Sequence, residues 1–190
     1  MRKFLVLAVA ALTLLCGVAV PVAARGRATP YCGIRWGSLP KEASPYTSAR
    51  LTNLRAGRHE CFDRLVIDLG PRQPGLPGPD SAGYQVGYVS QFTSDPAGEA
   101  IALAGAADLS IVVHASAVDD DGSPTYQPAN ATSAVDVAGF ATFRQVVFDA
   151  TFEGQTQIGL GVRARLPFRV FSLAGPGAGS RLVIDVAHRW

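Results

Sequence analysis

From residue 48 onward, apolar and polar side chains alternate along most of the chain. The last alternating stretch is Ser180-Arg181-Leu182-Val183-Ile184-Asp185-Val186. In an extended chain successive side chains point to opposite faces, so Leu182, Ile184 and Val186 share one face and Arg181, Val183 and Asp185 the other. The letters Arg-Leu-Val-Ile-Asp occur once before, from Arg64 to Asp68, where Leu65, Ile67 and Leu69 repeat the apolar face against Arg64, Val66 and Asp68. Branched aliphatics on one side, with an Arg and an Asp four residues apart on the other, predict two central strands packed on a core.

The same pattern places the remaining elements. Leu51 and Leu54 predict a short first strand before a turn at Gly57, and Cys61 to Leu69 is the second strand. Gly70 to Gly83 contains four prolines; each lacks a ladder donor, so this stretch is a surface loop. Tyr84, Val86 and Tyr88 alternate with Gln85, Gly87 and Val89 in a third strand carrying two aromatics on one face. Ala100 to Ala104 is expected as an edge strand and Leu109 to Val118 as a longer one. A polar loop, Asp119 to Pro128, and a helical or irregular link lead to Phe140 to Phe152. Glu153-Gly154-Gln155 turns that strand into Ile158 to Val162, and Phe168 to Leu173 precedes the turn Ala174 to Gly179. About eight or nine short strands with Gly and Pro turns, and no long amphipathic helix, predict an all-β fold, a β-sandwich.

The start of the chain reads differently. Met1 to Ala24 has a charged beginning (Arg2, Lys3), an apolar run from Phe4 to Val20, Pro21, and the small residues Val22-Ala23-Ala24. This is the pattern of a secretory signal peptide, and membrane attachment follows only if the leader stays uncleaved. Arg25 to Thr47, with Trp36, Pro40 and Pro45, has no clear period and is expected to be irregular, ahead of a domain over 48–190. Loss of the leader leaves Cys32 and Cys61 in an oxidising compartment, which predicts one disulfide. It closes a loop of roughly 30 residues, which chain entropy values at about 3.5 kcal/mol, and ties the irregular segment to the sheet.

Composition changes the picture mainly through charge. The full chain of 190 residues has a formal net charge of +2, but removing Arg2 and Lys3 leaves 15 basic and 15 acidic side chains. A chain that binds nucleic acid carries a surplus of phosphate-neutralising charge, so nucleic acid is not an expected partner. Gly 20 and Pro 13 without a period fit a chain with many turns.

Candidate chemistry is sparse. The histidines His59, His114 and His188 have no zinc spacing. His114 falls in the polar phase of its strand and is expected at the surface, while His188 is expected near Trp190. Asp119-Asp120-Asp121-Gly122 lacks the alternating ligands and the later Glu of a calcium loop, so a solvated turn is expected over a cation site. Gly175 to Ser180 has no Lys and no following helix, and no Gly-x-Ser-x-Gly elbow is present. The expectation is a non-enzymatic protein without a cofactor. The Arg and Asp of the repeated motif read either as cross-strand ion pairs that fix register or as contacts to a charged polymer. Trp36, and the face shared by Tyr84 and Tyr88, are candidate sugar platforms; Arg64 and Arg181 are separate candidates for contacts to a charged polymer.

The order of these segments resembles a known family. Phe168-Arg169-Val170-Phe171-Ser172-Leu173, a turn, and Arg181-Leu182-Val183-Ile184-Asp185-Val186 resemble the closing hairpin of AMIN domains. Cys32-Gly33-Ile34-Arg35-Trp36-Gly37-Ser38, Cys61-Phe62-Asp63-Arg64-Leu65-Val66, Gly83-Tyr84 to Tyr88-Val89, Asp121-Gly122-Ser123-Pro124-Thr125-Tyr126 and Phe152-Glu153-Gly154 are similar to the secreted actinobacterial branch called AMIN-like. The resemblance implies a β-sandwich acting outside the cytoplasm as a targeting module, of the kind found beside cell-wall amidases or secretin subunits. No partner domain is expected after Trp190, so wall binding comes as an analogy of fold. The expected partner is peptidoglycan or another envelope polymer; the alternative is a secreted protein partner, bound at an exposed strand edge.

Overall fold

The computed structural model describes residues 29–76 and 81–190. The predicted leader, Met1 to Ala24, lies outside the described residues. The described residues form nine strands: β1 (Lys41–Ala43), β2 (Leu51–Arg58), β3 (Phe62–Leu69), β4 (Tyr84–Val89), β5 (Ala107–Val113), β6 (Phe143–Phe152), β7 (Gln155–Val162), β8 (Phe168–Ala174) and β9 (Ser180–Ala187). They make two antiparallel sheets, one ordered β1-β4-β5-β7-β6 and the other β2-β3-β9-β8. The fold is an all-β sandwich.

The two copies of Arg-Leu-Val-Ile-Asp are neighbours. β3 pairs with β9 so that Arg64 stands opposite Asp185, Val66 opposite Val183, and Asp68 opposite Arg181. Leu65, Ile67, Leu182 and Ile184 are fully buried between the sheets, where they meet Leu109, Ile111, Ile158 and Leu160 from the larger sheet. Period-two alternation thus puts the apolar phase of both central strands into one core, the dominant stabilising term for such a fold.

Several elements differ from the sequence reading. β2 runs through Gly57 to Arg58, because the chain reverses at His59 to Cys61, where His59 N–H donates to Phe62 O at 3.0 Å. Lys41–Ala43, inside the segment read as irregular, is extended and pairs with Tyr84 to Val86. Ala100 to Ala104 is not a strand: it contributes one bridge, Thr93 to Ala100, and otherwise lies across the outer face of the larger sheet. β5 ends at Val113, and β6 begins at Phe143 instead of Phe140. The link before β6 holds one 3-10 turn, Ala131–Ser133, capped by the Asn130 side chain accepting from Thr132 N–H at 3.0 Å. The turn at Glu153 and Gly154 takes positive φ at both residues (48° and 78°), as a two-residue hairpin requires.

The crossing of residues 92–104 decides which outer face stays open. Phe92 is 1% exposed, and its ring lies on β7 where Gly159 leaves room; a Cβ there would stand 2.8 Å from the ring. Phe92 N–H donates to the Asp108 carboxylate at 3.0 Å, and Ala104 N–H to Gln145 Oε1 at 2.7 Å, so the crossing is bonded at both ends. The outer face of the larger sheet is covered there. The outer face of the smaller sheet carries the side chains of its strands, with the Trp36 segment bonded along the β8 edge.

Candidate functional site

Outward-pointing side chains of β2, β3, β9 and β8 form the most organised polar surface among the described residues. Register aligns them in rows. Gly57, Arg64, Asp185 and Arg169 form one row, and Arg55, Val66, Val183 and Phe171 the next. Asp185 is fully buried, yet it lies on the outer side, covered by the two guanidinium groups that neutralise it. Arg64 donates to it through Nε at 2.6 Å and Nη2 at 2.9 Å, and Arg169 through Nε at 2.8 Å. Hydrogen bonding to Asp185 raises the Arg64 pKa further above its ordinary value, so this cation is permanent.

Aromatic rings frame the same row. Arg169 lies 4.4 Å from the ring centre of Trp36 and 4.9 Å from that of Phe171, and Arg64 lies 5.3 Å from Phe62 and 5.5 Å from Phe171. Trp36 meets Phe62 edge to face at 5.6 Å. These are cation–π distances, so the guanidinium groups and the rings hold one another in place on this face. The Cys32–Cys61 disulfide stands beside Phe62 and brings the Trp36 segment to it, and Phe168 N–H donates to Gly37 O at 2.9 Å.

The five residues proposed from sequence are divided by the fold. Trp36, Arg64 and Arg181 stand on this outer face. Tyr84 and Tyr88 share the core-facing phase of β4, opposite Val113 and Leu109, and pack against the core. The Tyr88 hydroxyl donates to Leu166 O at 2.9 Å and accepts from Leu166 N–H at 3.0 Å, so that ring is a strut between sheet and loop. Burial raises the Tyr88 pKa, against the opposing effects of its Leu166 hydrogen bond and of Arg165.

The motif's ion pairs are half of what register predicts. Arg64 and Asp185 pair across β3 and β9. Asp68, opposite Arg181, is instead held by Arg55 at 2.9 and 3.0 Å and by the Asn53 amide at 3.3 Å. Phe62, Phe171, Arg169 and Arg55 were not singled out in the sequence. Arg169 and Phe171 share an outward phase in the pattern of β8, but their place beside Asp185 follows only from the β8–β9 register.

The histidines need correction. His114 is 5% exposed, because the N-terminal segment covers it: its ring stacks on Tyr46 at 4.5 Å and Nδ1 lies 3.3 Å from Ser44 O. His188 lies against Asp63 at 3.1 Å, whereas the Trp190 indole donates to Arg165 O at 3.0 Å. Asp63 is buried and also accepts from the backbone N–H groups of Thr142 and Phe143, so this pair fastens the end of β9 to β6. Asp119 and Asp120 both pair with Arg50, and Asp121 caps Ser123 N–H at 2.9 Å. Among the described residues no group of three His, Cys, Asp or Glu is placed to hold a metal ion.

A model of the AMIN-like domain family matches residues 49–188. The chain belongs to the AMIN-like domain family. The match begins just before β2 and ends after β9, so it contains both copies of the repeated motif and eight of the nine strands. Cys32, Trp36 and β1 precede it, and the disulfide therefore joins an N-terminal extension to the AMIN-like domain. No curated protein matches the chain. AMIN-like domains are generally non-catalytic binding modules, and the family and the disulfide are both compatible with an extracytoplasmic location.

Proposed function

We propose that this AMIN-like protein is a secreted, non-enzymatic module that binds the cell envelope, taking peptidoglycan or another envelope polymer on the outer face of its four-stranded sheet. The observation that carries the reading is the guanidinium–aromatic row Trp36, Arg169, Phe171, Arg64, Phe62. Flat rings suit sugar faces, and four guanidinium groups (Arg55, Arg64, Arg169, Arg181) stand against two carboxylates (Asp68, Asp185) on this face, a surplus that suits an anionic polymer. Because the folded chain offers this surface ready-made, binding needs little ordering of side chains.

The test is co-sedimentation with purified cell wall over a range of salt. The expected result is sedimentation of the protein with wall, weakened by salt and by Trp36→Ala with Arg169→Gln. A protein that stays fully soluble at every salt concentration overturns the reading.

A second reading rests on a different feature. Ser172 to Ala174 end the edge strand β8 and are exposed, so a secreted protein partner has an edge on which to add a strand. Crosslinking in the native envelope separates the two, since only this reading predicts one protein partner.

A further inference from the structure

On the same outer face, a cleft of about 250 Å³ opens among His59, Arg55, Arg64 and Arg181 above Val66 and Val183. Its floor is apolar and buried: Val66 is 5% exposed and Val183 1%. Of the three guanidinium groups around it, two are bonded to carboxylates. The fork of Arg64 is filled by Asp185, with bonds of 2.6 and 2.9 Å, a carboxylate it shares with Arg169, and that of Arg55 by Asp68, with bonds of 2.9 and 3.0 Å.

Among the described residues no carboxylate forms an ion pair with Arg181. Its cross-strand neighbour is Asp68, whose carboxylate is occupied by Arg55 and Asn53. Arg181 donates through Nη2 to Ala174 O at 2.8 Å, a neutral acceptor, and its Nε is shielded from water without a hydrogen-bond partner. A guanidinium is always protonated, and a donor cut off from water with no acceptor is costly. An uncompensated cation beside an apolar floor attracts an anion more strongly than the same cation in open water.

We infer that this cleft is an oxyanion site, in which Arg181 receives a phosphate or carboxylate group and Arg55 and Arg64 flank it. The inference deepens the envelope reading and rests on it for the source of the anion: the group is one carried by an envelope polymer. Arg181 supplies a planar charged group that matches the oxygens of either anion, and a small turn of its side chain out of the Ala174 contact lets the entering anion provide the acceptor that Nε lacks. The motif's twin arginine cannot do this, because Asp185 already occupies the Arg64 fork.

The test uses the full disulfide-bonded chain labelled with ¹⁵N, titrated at constant ionic strength with inorganic phosphate in one arm and acetate in the other. The arginine Nε–Hε resonances are followed. The expected result is a saturable shift of the Arg181 resonance, with smaller shifts at Arg55 and Arg64 and the Arg169 resonance nearly still, and tighter binding in the arm that matches the natural group. Arg181→Gln should weaken that anion by about tenfold or more, and Arg181→Lys by less, since it keeps the charge and loses the fork. An unchanged amide spectrum shows that each variant is folded, and Arg181→Lys serves if the Gln variant is not. Titrations that do not saturate, or that Arg181→Gln leaves unchanged, overturn the inference. Wall sedimentation of Arg181→Gln keeps the two readings apart: sedimentation as in the parent protein sinks the oxyanion site and leaves the envelope reading standing. Reduced sedimentation of that variant beside a binding parent supports both.

Discussion

Tyr88 shows how one side chain can look like a ligand contact in a sequence and serve as a fastening in the fold. Its ring meets Phe168 edge to face at 5.6 Å, and its hydroxyl bonds both backbone groups of Leu166. Tyr88→Phe should lower stability at neutral pH by about 1 to 2 kcal/mol, read by denaturant unfolding. Because burial raises its folded pKa above the ordinary value near 10, the neutral phenol's contribution is complete below that value and is lost as pH rises through the folded pKa. The gap between parent and Tyr88→Phe should therefore narrow as unfolding is repeated above pH 10; a gap constant with pH contradicts the assignment. His114 teaches the same lesson in reverse. Its position in the polar phase of the pattern is right, but the phase reports only which side of the sheet a residue faces. Whether water or another segment waits there depends on Ser44 and Tyr46, seventy and sixty-eight residues earlier.

At the scale of elements, what was legible follows from the range of the cause. The strands β3, β4 and β9 were read almost to the residue, because period-two alternation of branched aliphatics is a local signal. β1 was missed because three residues carry no period, and their extension is imposed by β4. Ala100 to Ala104 was misread because its apolar residues cover the outer face of β7 instead of extending a sheet. That crossing makes a sharp prediction. At Gly161 an added Cβ would fall inside contact distance of the Ala104 carbonyl oxygen, a backbone atom with little room to yield. Gly161→Ala should cost about 2 to 3 kcal/mol in chemical denaturation, and faster hydrogen exchange should be confined to residues 92–104 and β7. Ordinary stability in that variant would show that the crossing is loosely held. The candidate site was legible only in part for the same reason: Arg64, Arg181 and Trp36 announce themselves singly, but their roles depend on pairings that sequence spacing does not contain.

For the whole molecule, the disulfide is the joint between the matched domain and its extension. The two cysteines are 29 residues apart in sequence, and the bond holds the segment that carries Trp36 against Phe62 and Arg169. Reduction should lower stability by about 3.5 kcal/mol on the chain-entropy estimate. Limited proteolysis of the reduced protein should cut first between Cys32 and Lys41, leaving the two-sheet core resistant for longer. If the proposed wall binding holds in co-sedimentation, reduction should weaken it more than Tyr84→Phe does, because it loosens the aromatic end of the outer face.

The antiparallel setting of the two Arg-Leu-Val-Ile-Asp copies has a last consequence. With Val66 facing Val183, the ten residues map onto one another by a half-turn, and a perfect half-turn would give two identical, self-quenched pairs with no force left for a guest. Arg55 breaks that balance by drawing Asp68 away from Arg181. Replacing Arg55 by Gln should leave Asp68 held by Asn53 alone and free to turn towards Arg181, and the phosphate or acetate titration of that variant should then show weaker binding at Arg181. Receptivity here is an unfinished symmetry, held open by two side chains, Arg55 and Asn53, on a neighbouring strand.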